Sequence, residues 1–177
     1  MVTSSSRRLP TRSELLAILA AVAVPIHIWA LFRIVAGIPQ WLLRLNQWQL
    51  VGVVSYSLML TLIETVMVFL FVLVVIALVS RRRLHPVLVP AVAVFAGLTT
   101  ALMVALLLIP LRDGFSLILT LVGYVVLLVA SLVLVGRSKR LAGMLNGLVD
   151  RLVPLALLYI FFDVLATVIV IVRNLSA

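Results

Sequence analysis

The sequence predicts an all-α integral membrane protein, a bundle of five transmembrane helices. Three observations carry this. Of the 177 residues, 66% are hydrophobic and 11% charged, against about half apolar and about a quarter charged in soluble domains. Mean hydropathy is +1.39. The apolar residues fall into five runs long enough to cross a bilayer, which takes about 20 residues each.

Residues 1–12 are polar, Ser-rich and basic, and read as a flexible tail. Thr11 and Glu14 have capping-box spacing at the start of the first helix. The first span, about 13–36, outruns the short apolar core of a cleaved signal peptide. Pro25 is expected to kink it, because proline lacks the backbone N–H. Residues 38–50 carry Trp41, Leu42, Leu45 and Trp48 on one helical face, and indoles favour the headgroup level. That pattern predicts a short amphipathic helix lying in the interface.

The second span, about 51–80, is stopped by Arg81, Arg82 and Arg83. The third, about 86–110, is opened by Pro86 and closed by Pro110, and a turn at 111–114 leads to the fourth, about 115–136. The basic connection 137–151 has an apolar face of Leu141, Leu145, Leu148 and Val149 that suits a second interfacial helix. The fifth span, about 152–172, ends at Arg173, leaving 173–177 as a tail. Spans 13–172 form one membrane domain.

With the N-terminus inside, ten Lys and Arg fall on the inner side and four on the outer. Positive charge collects in cytoplasmic loops, so the N-terminus is expected in the cytoplasm and the C-terminus outside, in a prokaryotic plasma membrane. The net charge of +9 follows from the same rule, and no nucleic-acid partner is expected. The runs LVSRRRL and LVGRSKRL, which close the second and fourth spans, are explained by a shared cytoplasmic stop rather than by an internal repeat.

The absence of cysteine excludes disulfides, thiolate metal sites and cysteine nucleophiles. His27 and His85 lie at different depths, so a bis-histidine haem site is excluded, and no cofactor or metal is expected. No phosphate loop, metalloprotease helix or nucleophile elbow is present, and neither Glu64 nor Asp163 has the flanking glycine that an intramembrane aspartyl protease would suggest. No enzyme activity is expected.

Glu64 and Asp163 are the residues that stand out. An ionisable group at mid-bilayer costs at least about 2.5 kcal/mol, so it faces protein, a partner or a functional cavity. Both lie near the middle of their spans, with His27 slightly outward of the middle of its own. Ser57, Thr61 and Glu64 make one polar stripe, Tyr159, Asp163 and Thr167 another, and Ala20, Ala23 and His27 a third. The candidate ion or proton site is therefore Glu64, Asp163, His27, Thr61 and Tyr159. Arg81, Arg82, Arg83, Lys139 and Arg140 are candidates for lipid headgroups. Small residues at four-residue spacing, such as Ala93 and Gly97, suit close helix packing.

The expected function is structural: a small subunit that packs in the bilayer with other membrane proteins or as a homo-oligomer. The alternative is a small proton- or cation-linked transporter or channel using Glu64 and Asp163.

Overall fold

The computed structural model describes residues 11–78, 87–108 and 114–176. Every element among them is helical: α1 (Arg12–Leu42), α2 (Gln47–Leu78), α3 (Leu88–Leu108), α4 (Gly114–Arg137) and α5 (Lys139–Leu175). All five are long and apolar enough to cross a membrane. The basic run 81–83, His85 with Pro86, and the turn at 111–113 lie outside the described residues.

Helix α1 starts on the capping box expected from its sequence. The Thr11 N–H donates to Glu14 Oε2 at 2.8 Å, and the Glu14 N–H donates to Thr11 Oγ1 at 3.3 Å. Two of the N–H groups that a helix start leaves unpaired are thereby satisfied. The helix then continues through Pro25 and Pro39 without interruption.

The interfacial helix expected over 38–50 does not form. Residues 38–42 are the last turn of α1 and residues 47–50 the first turn of α2. Two local causes account for this. Trp41 folds its ring back over Gly37, where a Cβ would collide with it, and so stays part of α1. Asn46 and Gln49 form a second capping box: the Asn46 N–H donates to Gln49 Oε1 at 3.0 Å and the Gln49 N–H to Asn46 Oδ1 at 2.8 Å. That box starts α2 at residue 47.

A similar correction applies to 137–151. Ser138 caps a new helix, its Oγ accepting from the Leu141 N–H at 3.3 Å, and α5 then runs for 37 residues through Pro154. At about 1.5 Å per residue this is roughly 55 Å, more than the ~30 Å of hydrocarbon, so the basic stretch and the last span are one rod. Its inward side is Ala142 and Val149, while Leu141 and Leu148 are exposed.

Helix α1 is the centre of the bundle and packs against α2, α3 and α5. It can do so because its buried face is made of small residues: Ala17, Ala20, Ala21 and Ala23, joined by Val24. In lipid there is no gain from hiding a leucine, so close backbone approach over small side chains provides the packing. Val149 and Ala156 of α5 complete this core, and Val92 and Ala93 of α3 pack on it. Helix α2 shows the same logic. It buries Gly52, Ser55, Thr61 and Thr65 and turns Leu60, Met67 and Phe71 outward. Helix α4 is peripheral; Tyr124 ties it to α3 through a hydrogen bond with Thr99 of 2.8 Å.

Candidate functional site

The polar centre of the bundle lies between the first helix and the last. Asp163 of α5 is 0% exposed and His27 of α1 is 1% exposed. His27 Nε2 lies 2.7 Å from Asp163 Oδ2, and His27 Nδ1 lies 2.7 Å from the Ala23 carbonyl oxygen. A carbonyl only accepts, so Nδ1 carries a proton and donates it. That leaves a single proton in the Nε2–Oδ2 bridge. It sits either on nitrogen, giving imidazolium and carboxylate, or on oxygen, giving imidazole and carboxylic acid. Both arrangements are neutral overall, as a sealed apolar interior requires.

The surroundings hold this geometry in place. The Tyr159 ring, one turn before Asp163, stacks on the imidazole at 4.8 Å between centroids and 3° between planes. Thr167, one turn after, donates its hydroxyl to the Asp163 backbone carbonyl at 2.8 Å. Among the described residues, the buried oxygens Asp163 Oδ1 and Thr65 Oγ1 have no hydrogen-bond partner. Thr65 lies on α2, which packs along both α1 and α5. The arrangement can pass a proton along the 2.7 Å bridge, and the free carboxyl oxygen can accept a further hydrogen bond.

The structure brings together three of the residues read from the sequence, His27, Asp163 and Tyr159. It does not bring Glu64 to them. Thr61 is buried on α2, with its hydroxyl donating to the Ser57 carbonyl at 2.8 Å. Glu64, three residues on, lies on the outward side of α2 and is exposed. The buried polar edge of α2 is therefore Thr61–Thr65, at a spacing of four, and Glu64 stands about 60° away from Thr61 around the helix, taking 100° per residue. Thr65 was missed in the sequence; its signal is that four-residue step from Thr61.

Lys139 and Arg140 are exposed at the start of α5. At the opposite end of α5, Arg173 Nη1 donates to the Trp48 carbonyl at 3.2 Å, and the Tyr56 hydroxyl donates to Asn174 Oδ1 at 2.6 Å. Gly52 makes room for this clamp, since a Cβ there would coincide with the Arg173 guanidinium. Among the described residues there is no group of three His, Asp or Glu side chains able to hold a metal ion.

An apolar groove of about 560 Å³ opens on the bundle's flank between α1 and α3, lined by Pro25, Ile28, Gly97, Ala101, Val104 and Ala105 among others. Gly97 thus lines an open surface, whereas Ala93 packs on the core.

Fold and site together define a protein of membrane type, all-helical among the described residues, with five helices of spanning length there. No protein-family model, curated protein or solved structure matches the chain.

Proposed function

We propose that this protein is a small structural subunit that assembles in the membrane with other membrane proteins or with copies of itself. The observation that supports this most directly is Glu64. It sits near the middle of a spanning helix, on the outward face, with no hydrogen bond or ion pair to any described residue. A carboxyl group left against hydrocarbon is costly, and covering it with another helix removes that cost. The open groove at Gly97 supports the same reading. In it, His27 and Asp163 join the first helix to the last and give the subunit a fixed shape.

In this reading the N-terminus is cytoplasmic in a prokaryotic plasma membrane. Lys139 and Arg140 face anionic headgroups on that side. A tag at the C-terminus should be reached only from outside. Native mass spectrometry after gentle extraction tests the assembly: a stoichiometric homo- or hetero-complex is expected, and a monomer would overturn it.

A second reading, proton- or cation-linked translocation, is favoured by the unpartnered Asp163 Oδ1 beside a shared proton. It requires Asp163→Asn to abolish flux in proteoliposomes while the protein stays folded. Parent-like flux would remove it.

A further inference from the structure

We propose that α2 is a self-association helix, and that two copies of this chain pack in parallel along Leu60, Glu64, Met67, Phe71, Val74 and Leu78, with the two Glu64 carboxyl groups hydrogen-bonded to each other. This rests on the assembly reading above and names its partner.

The six residues follow one another at steps of four, three, four, three and four. All are exposed: Leu60 is 54% accessible and Phe71 68%. Alternating steps of three and four are the spacing of a left-handed two-helix seam, in which each side chain enters a gap on the facing helix. Among the described residues the seam stays uncovered; α2 meets α1 and α5 with its other side, through Thr61 and Thr65.

Glu64 indicates what covers it. Two copies inserted with the same topology are parallel, and a symmetric parallel pair sets each seam residue against its own counterpart. Glu64 therefore meets Glu64. A carboxylic acid is both donor and acceptor, so two of them satisfy each other without a foreign cation. A single polar residue within an otherwise apolar seam also fixes the register. Leu60, Met67 and Phe71 on either side gain nothing by leaving lipid; they fill the gaps of the facing helix, and the Glu64 pair supplies the specific attraction.

The chain has no cysteine of its own, so single cysteines report cleanly. Leu60→Cys, Met67→Cys and, as a control, Val66→Cys are each oxidised with copper phenanthroline in liposomes. Val66 is exposed but lies about 100° around the helix from Met67. Disulfide-linked dimer is expected at 60 and 67 and not at 66.

In a dimerisation assay Glu64→Gln, which keeps a donor and an acceptor, should retain the dimer. Glu64→Leu should weaken it about tenfold. Because residue 64 points outward, neither change disturbs the bundle, and a circular dichroism spectrum checks this. Dimer formed equally at 66, or unaffected by Glu64→Leu, overturns the proposed seam. A stoichiometric complex with a foreign chain and no cross-link at 60 or 67 also overturns it, while leaving the assembly reading standing. A monomer by native mass spectrometry overturns both.

Discussion

Replacing Asp163 with alanine removes the group that His27 Nε2 meets at 2.7 Å, while Nδ1 keeps its bond to the Ala23 carbonyl. The imidazole is left with one buried, unpaired nitrogen, which costs about 1–3 kcal/mol. Interhelical hydrogen bonds in membrane bundles are worth less on average, about 0.6 kcal/mol and up to about 1.7. One unpartnered atom, Asp163 Oδ1, is deleted with the side chain, which offsets part of the loss. The expected destabilisation is therefore about 1–2 kcal/mol. Asp163→Asn behaves differently. With Nδ1 fixed as the donor to Ala23, neutral Nε2 is an acceptor, and an asparagine amide can donate to it at the same place. Its expected cost is under about 1 kcal/mol. Unfolding in SDS-containing mixed micelles, followed by helical circular dichroism, measures both. A double mutant with His27→Phe, which keeps a ring to stack on Tyr159, should recover about 1 kcal/mol of the sum of the single changes. Parent-like stability of Asp163→Ala would refute the idea that this bond holds α5 to α1. A loss for Asn as large as for Ala would refute the proton assignment.

Three further substitutions separate other contacts. Gly52→Ala gains about 1 kcal/mol of helix propensity and displaces only the flexible tip of Arg173, so its net effect on thermal stability should be near zero, whereas Gly52→Leu should lower it. Thr11→Ala removes the cap of α1 and should cost about 1 kcal/mol, seen as faster amide exchange at residues 12–15. A Cβ at Gly97 meets nothing within 4 Å and opens onto the flank groove; Gly97→Leu should therefore leave the melting temperature unchanged, and a change in oligomeric mass would mark the groove as a contact surface.

The five helices were legible because apolar runs of spanning length have few competing explanations. The Thr11–Glu14 cap was legible because its two residues reciprocate over a single turn. The Ala20–Ala23–His27 stripe also pointed inward as read. The direction of Glu64 was not legible. On a helix in lipid both sides are apolar, so hydropathy carries little sign of which side faces protein, and Thr61 with Glu64 is as good a stripe as Thr61 with Thr65. Nor could the sequence say that Asp163 pairs with His27 instead of Glu64, since helix neighbours are set by packing of Ala17–Val24 against α5. The interfacial helix failed on local chemistry that was present but unread. Asn46 and Gln49 have the spacing of a capping box, as Thr11 and Glu14 do, and Ser138 stands where a cap restarts the chain.

The His27–Asp163 bond joins residues 136 positions apart, and this has a consequence for biogenesis. At roughly 5–20 residues per second of synthesis, about 7–27 s pass between the emergence of the imidazole and that of its carboxyl partner. Throughout that interval α1 stands in the bilayer with Nε2 unsatisfied and its alanine face only partly covered. Helix α5 therefore closes α1, and a chain truncated before α5 presents an exposed small-residue face and a bare imidazole, features a quality-control protease can recognise.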